Sequence, residues 1–511
     1  MENEVIKIPA EKFTFAHADK KPGDKKLETK PVSYMRDAWR RFAKNKASIA
    51  GMVIIVIIVL FSLFAPLISR YEVSYTNSYF VNLSPKLFSA GSGFWDGTKK
   101  DSKGAATYYK YLAMGAESGR NAVVKTFSED EETGLFNFRL DTYNQVGYEF
   151  FILNESEYRA LQEYQDREGI QVIYPIPITS QGNDRVMFDV NDADYWYKTY
   201  LTGSRRGEPV LDGEGNFIPI YRLTGNDGYT SRMRIDGDPG KENAEAEGRY
   251  RYAQQVQGGY RVRVCYYDYY VYRNGIEPKF IFGSNGSGQD LFVCVASGTR
   301  FSLILAIGIA LINLIIGAIY GAVAGFYGGR TDLFMERISD ILSGIPFMVT
   351  AVLFNMHLAE SVGVVGALIF AFMLTGWIGT AGTVRMQFYR YKNQEYVLAA
   401  RTLGARDRRL ITKHIFPNAL GTIITGAALS VPSVIFSETS LSYLGVINLD
   451  DPTKGITSLG SLLTSGQSAL ATFPHLILFP ALIISLLMIS FNLFGNGLRD
   501  AFNPSLRGSE V

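Results

Sequence analysis

Few residues in this 511-residue chain have the types and spacing that chemistry requires. The glycine-rich stretch GSNGSGQDLF (283–292) has backbone N–H groups that could cradle a phosphate. No Lys-Ser or Lys-Thr follows its glycines, so the side chain that would reach a nucleotide's terminal phosphates is missing. The stretch is expected to be a turn entering a surface helix. The four histidines, His17, His357, His414 and His475, lie far apart, and there is no HExxH, no G-x-S-x-G elbow and no Cys/His pairing. These features predict that the chain is not an enzyme and carries no metal or cofactor. Asp340 and Glu438 stand out for another reason. Each falls in or beside a long apolar run, where an ionisable group is costly and often serves a pathway. Both also sit near run ends, where helix capping or water contact competes with that role.

Those apolar runs divide the chain. A hydrocarbon core of about 30 Å takes roughly 20 residues of helix. Six uncharged or nearly uncharged stretches reach that length, at 47–69, 301–326, 338–359, 362–384, 418–437 and 473–495. Residues 71–298 are instead polar and Tyr-rich, with 24 basic and 31 acidic residues, against 27 basic and 18 acidic in the remainder. Such asymmetry implies two compartments. RDAWRRFAKNK (36–46) precedes the first run, so the positive-inside rule places the N-terminal tail (1–46) in the cytoplasm. Counting crossings then places the loop 385–417 and the tail 498–511 inside too, and 71–298 outside. The loop agrees, with eight Lys or Arg against Glu395 and Asp407. A polar stretch of 46 residues before the first run is too long for a signal-peptide n-region, so that run is expected to stay as an anchor. Two cysteines, Cys265 and Cys294, exclude a disulfide framework, leaving either one bridge or two free thiols.

The outer segment is too long for a plain loop. NESEYRALQEYQDREG (154–169) reads as a capped helix ending at glycine. IQVIYPIPI (170–178) and YRVRVCYYDYYVYRNG (260–275) alternate like strands. An α+β domain inserted between the first two spans is expected. Its tyrosines suit either a surface that buries rings against a partner or ordinary sheet packing. In the second span Gly317, Gly321 and Gly325 recur every fourth residue and share one face, the small-residue pattern of close helix packing.

One stretch has more pattern than topology needs. EYVLAARTLGARDRRLITKHIFPN (395–418) is basic and Ala-rich, with Gly404 at its centre. A DNA-reading helix-turn-helix would be pinned against lipid headgroups between two spans. Topology alone accounts for Arg401, Arg406 and Arg408, but not for Ala399-Ala400, Gly404 or Ile415-Phe416-Pro417. A short helix (395–403), a glycine break and a second helix (406–415) would form an elbow whose small residues admit a neighbour and whose arginines bind carboxylates. This reads as a docking surface for a soluble protein.

The same stretch resembles the EAA loop of ABC importer permeases through Ala399-Ala400, Gly404 and Ile415-Phe416-Pro417. Leu398 stands where the motif has Glu, with Glu395 three residues earlier, and Phe416 replaces the usual Leu. RDAWRRFAKNKASIAGMVI (36–54), GTRFSLILA (298–306), AGFYGGRTDLFMERISDILSGIP (324–346), SETSLSYLGV (437–446) and GNGLRDAFNP (495–504) resemble the second permease (C-type) of dipeptide and oligopeptide importers. FGSNGSGQDLF (282–292) departs from that family's G-R-D pattern, with Gln289 in place of Arg. Residues from about 75 to 279 replace a shorter loop. The resemblance implies an α-helical polytopic membrane protein of the ABC importer type I fold, with six transmembrane helices and both termini inside. It implies a permease core at 299–497, forming a heterodimer with a homologous permease in a prokaryotic cell membrane. Two cytoplasmic ATPases would bind the ATP and Mg²⁺, and an extracytoplasmic substrate-binding lipoprotein would deliver peptide. Nickel or nickel-chelate import is the alternative within that family, and a membrane receptor or sensor the alternative outside it. Nucleic acid is not an expected partner.

Overall fold

The computed structural model describes residues 34–130, 133–177, 186–187, 193–194, 196–200, 203–218, 250–451 and 456–502. Helix α1 (Tyr34–Lys44) leads into α2 (Lys46–Ile68), which Asn45 caps by accepting from the backbone N–H groups of Ala47 and Ser48. At 23 residues α2 is about 34 Å long, enough to cross a bilayer. Ser69 ends it.

The insertion holds two antiparallel sheets. Strands β1 (Thr98–Gly104), β2 (Val123–Asp130) and β3 (Leu135–Asp141) pair in the order β1-β3-β2, with α3 (Ala105–Ser118) between β1 and β2 in sequence. Strand β4 (Tyr148–Leu153), helix α4 (Glu155–Glu168), β5 (Ile173–Tyr174), β6 (Ala253–Val256) and β7 (Gly259–Cys265) follow; β7 pairs with β4, β5 and β6. Two-residue pairs join Ile176–Pro177 to Tyr250–Arg251 and Val186–Met187 to Thr199–Tyr200. The expected helix at 154–169 is α4, with a capping box between Asn154 and Glu157 and a left-handed Gly169 at its end. The expected strand at 170–178 shrinks to β5 and the pair at Ile176–Pro177, and residue 178 lies outside the described residues.

The expected strand at 260–275 is corrected. It ends at Cys265, and Tyr266–Asn274 is a helix, α5. Aromatics at 266, 267, 269 and 270 fit a helical face as well as an alternating one. Asp268 in the first turn, paired with Arg120 at 2.6 Å, favours the helix. The tyrosines are turned inward: Tyr143, Tyr148, Tyr197 and Tyr270 are among the largest fully buried side chains. Tyr71 stacks on Phe280 with ring centroids 4.5 Å apart, and the Tyr270 hydroxyl donates to that of Tyr71 at 3.0 Å. Ring burial against a partner is therefore not what these described residues are used for. Cys265 and Cys294 are buried free thiols.

One buried ion pair ties the two sheets together. Arg263 of β7 donates through Nη1 and Nη2 to the two Glu117 oxygens of α3, both at 2.7 Å, and its guanidinium lies 3.8 Å from the Tyr148 ring centroid. The ends of the insertion are pinned where they meet the long helices. Ser69 Oγ donates to Asp290 Oδ2 at 2.7 Å, and Asp290 Oδ1 caps the next helix by accepting from Phe292 N.

That helix, α6 (Leu291–Tyr327), begins ten residues before the expected span start. The turn at 283–290 therefore enters a largely buried central helix, which corrects the surface-helix expectation. Helix α7 (Gly329–Ser343) follows, then α8 (Phe347–Thr375), α9 (Ile378–Tyr391), α10 (Glu395–Thr402), α11 (Phe416–Tyr443), α12 (Leu459–Gln467) and α13 (His475–Phe502). Among the described residues five helical runs are long and apolar enough to cross a membrane: Lys46–Ile68, Leu291–Tyr327, Phe347–Tyr391, Asp407–Tyr443 and His475–Phe502. The expected runs 338–359 and 362–384 are not separate helices with those bounds. Pro346 breaks the first near its start, while α8 runs on across Gly363, a kink with φ 77° and ψ 162°. The next interruption is at Gly376–Trp377, inside the second expected run. Pro432 lies inside α11 without ending it. Ile58, Val295, Ile309, Ile435 and Leu487 share the apolar core of the long helices.

Two measurements check this account. Replacing Glu117 by Ala removes the carboxylate that balances the buried Arg263 guanidinium, a loss of about 3–5 kcal/mol. Trypsin is expected to cut the insertion of the full-length variant much faster, which peptide mapping would record. Burial pushes the Asp290 carboxyl up, from an ordinary value of 3.8 to about 6. The unfolded chain therefore loses this proton first as pH rises, so stability falls between those two values and stays lower above them. Asp290→Asn should melt at a temperature that gains on wild type from pH 4 to pH 7.

Candidate functional site

The elbow at 395–418 is built on an unusually close pair of helices. A Cβ added at Gly317 would lie 2.7 Å from Thr380 Cβ, one at Gly321 2.3 Å from the Ala381 carbonyl oxygen, and one at Gly325 2.7 Å from both the Arg385 oxygen and Phe388 Cβ. The glycine face of α6 thus receives the α9 backbone directly. Lys392, just past α9, donates from Nζ to the Gly325 carbonyl at 2.9 Å and so caps the end of α6.

From this base the chain enters α10. Its end is a Schellman motif: Gly404 N donates to Arg401 O and Ala405 N to Ala400 O, each at 3.0 Å, with Gly404 at φ +84°. Nothing lies within 4 Å of a Cβ placed at Gly404. Within the chain glycine is needed here for its left-handed backbone, and the space beside it is open. The second arm is also different from expectation. Asp407–Arg409 forms one turn, Leu410–Ile415 is π-helical, and the chain continues into α11 without a break. Pro417 occupies the first positions of α11, where the wide preceding turn accommodates a residue without an N–H.

The elbow has two faces. Val397, Leu410 and Ile415 are fully buried in a cluster with Phe326, Val384, Phe388 and Ile423. Ile415 therefore anchors the elbow, and Ala400 packs partly against the same cluster. Glu395, Ala399, Gly404, Arg406, Arg408 and Pro417 are exposed. Arg401 is exposed too, with its guanidinium 5.8 Å from the Phe326 ring centroid. At the tip Leu403 is 88% exposed, an apolar knob in a stretch that also exposes Arg401, Arg406 and Arg408. Sequence reasoning did not single it out, although a Leu just before the elbow glycine is a visible signal. Such a face suits a groove that is apolar at its centre and acidic at its rim.

The two candidate pathway carboxylates part company. Asp340 is exposed on α7 and pairs with Arg337 one turn back at 3.0 Å, a surface pair worth little. Glu438 is 1% exposed in α11 and accepts from Ser302 Oγ at 3.2 Å and Ser442 Oγ at 3.3 Å. Away from both, an uncharged cavity of about 240 Å³ lies between α9 and α11, bordered by Gly379, Thr380, Thr383, Gly426 and Ser430. Among the described residues no group of His, Cys, Asp and Glu is placed to hold a metal.

Two family models match the chain. Residues 313–508 match the binding-protein-dependent transport system inner membrane component, and residues 33–85 match the N-terminal TM domain of oligopeptide transport permease C. Neither match reaches residues 86–312, so most of the insertion lies outside both. An oligopeptide transport system permease protein of Bacillus subtilis (strain 168) is 43% identical over 226 residues, covering 44% of this chain and 72% of that protein. A dipeptide transport system permease protein of the same organism is 40% identical over 227 residues, 44% of this chain and 69% of that one. A chain of an inward-facing methionine ABC transporter superposes on 41% of this chain and 96% of its own length, with 13% identity and a TM-score of 0.33.

Gly321→Leu would place a branched side chain where α9 carbonyls already sit, overpacking worth about 1–3 kcal/mol or more. The variant is expected to lose most of its folded, detergent-stable yield on size-exclusion chromatography. Gly308→Leu, where a Cβ meets nothing within 4 Å, should not.

Proposed function

Because this chain belongs to the inner-membrane components of binding-protein-dependent transport systems, in the oligopeptide permease C branch, we propose that it forms half of the membrane pathway of an ATP-driven importer of di- and oligopeptides. The observation that carries the reading is the elbow at 395–415, bolted to the helix ends on one face and presenting Leu403 among arginines on the other. The chain's relatives are named as permeases for oligopeptides and dipeptides. Its lack of a phosphate-binding loop makes ATP hydrolysis the task of other subunits.

In this reading the elbow sits in the groove of a cytoplasmic ATPase, one of two, which bind ATP and Mg²⁺. A homologous permease completes the pathway, and an extracytoplasmic binding lipoprotein supplies peptide. The run Phe347–Tyr391 is far longer than one crossing requires, and its left-handed break at Gly363 lets it cross twice. That makes six crossings in a prokaryotic cell membrane, with both termini and the elbow inside and the acidic insertion outside. ATP-driven closure of the ATPases then moves the elbow and switches the helices between outward- and inward-facing arrangements. The chain converts a partner's motion into access.

Leu403→Asp, which removes the knob without touching the buried anchor, tests this. The variant is expected to reach the membrane normally, while co-purification of the ATPases and peptide uptake fall about tenfold or more. Unchanged co-purification and uptake would remove the docking role. Uptake of a peptide library by the assembled complex in vesicles tests the substrate class, and no accumulation of any peptide would count against it.

A further inference from the structure

Helix α7 is held in an unusual way. Among the described residues its only buried side chain is a carboxylate, Asp332, while Leu333, Phe334 and Ile341 on its other faces are more than half exposed. It is joined to α6 through Gly328 and Gly329, whose φ of +67° and +56° favour glycine, and the Tyr320 hydroxyl of α6 donates to the Met335 carbonyl of α7. No buried apolar stripe fixes its orientation. A polar grip does.

That grip is Arg385 of α9. Its Nε and Nη2 donate to the two Asp332 oxygens at 2.6 and 2.7 Å, and its Nη1 and Nη2 donate to the two Glu336 oxygens at 3.0 and 2.9 Å. Tyr389, one turn further along α9, adds its hydroxyl, donating to Asp332 Oδ2 at 2.6 Å. Asp332 and Glu336 are one helical turn apart, so one planar guanidinium spans both. Arg385 also belongs to the element that carries the elbow. Phe388 and Tyr391 of α9 pack with Val397 of α10, and the Arg385 carbonyl lies against Gly325. A cavity of about 140 Å³, bordered by Tyr320, Ser339 and Gly382 as well as the clamp, leaves α7 room to shift.

We propose that Arg385 is a positioning residue for transport: through Asp332 and Glu336 it makes α7 follow α9, so that movement of the elbow is delivered to α7. The proposal rests on the importer reading above. Its physical basis is stiffness: four charge-assisted hydrogen bonds in a fixed planar array resist rotation of α7 more than the glycine turn and the single Tyr320–Met335 bond to α6 do. Lysine at this position keeps the charge but cannot span both carboxylates, so it should leave α7 attached yet slack.

The test uses the assembled complex of both permeases and both ATPases in lipid nanodiscs, with Ile341→Cys as a reporter on exposed α7. The rate of maleimide modification is compared between the nucleotide-free and the vanadate-trapped complex. With Arg385 present, trapping should change that rate by about tenfold. In Arg385→Lys, and separately in the milder Asp332→Asn, the change should largely vanish. The ATPase rate should stay near wild type, and peptide uptake should drop. A full trapping response in Arg385→Lys overturns the proposal. So does a joint loss of assembly, ATPase activity and response in both variants, which would mean the clamp only holds the fold. A wild-type chain that recruits no ATPase would instead defeat the importer reading, and this proposal with it.

Discussion

The approach of α6 and α9 along Gly317, Gly321 and Gly325 sets the position of everything around the elbow. In hydrocarbon there is no hydrophobic drive to bring two apolar helices together, so packing and polar contacts must do it. Three missing Cβ atoms let the α9 backbone come within van der Waals reach of the α6 backbone. With that distance set, Phe388 and Val384 reach the cluster that buries Val397 and Ile415, Lys392 reaches the carbonyls at the end of α6, and Arg385 faces α7. A bulkier face on α6 would displace all four at once.

Charge is handled in three different ways along the chain, each matched to its surroundings. In the insertion, Arg263 and Glu117 are both essentially inaccessible and hold each other in a two-point grip. Such a pair adds little net stability against apolar residues, but losing one partner is costly. The Arg385 group is partly exposed and holds two carboxylates at once, which suits a joint better than a core. Glu438 meets hydroxyls from Ser302 of α6 and Ser442 of its own helix. It therefore ties α11 to α6 without a basic side chain among its described hydrogen-bond donors.

The insertion shows how far periodicity carries. Helix α4 was legible from Asn154, Glu157 and Gly169, because caps act through local hydrogen bonds. The aromatic run at 260–275 was not, since rings at 266, 267, 269 and 270 satisfy either period until a partner surface selects one. Here Arg120 and the neighbouring rings select a helix after Cys265. The tyrosines could likewise face inward or outward by composition alone. Long-range stacking, such as Tyr71 on Phe280, decided it.

The long helices and the elbow divide in the same manner. Sequence by itself determined that apolar helices bracket a polar insertion, that one face of α6 must pack closely, and that a basic, glycine-centred loop follows α9. Each of these is a local property of hydrophobic length, residue size or backbone freedom. Tertiary structure alone decided where 338–391 breaks, that Ile415 anchors and Leu403 protrudes, that Pro417 opens α11, and that Asp332 and Glu336 hold Arg385. Those outcomes depend on clusters that gather residues as far apart in sequence as Phe326 and Ile415, and no spacing along the chain encodes which face such a cluster will bury.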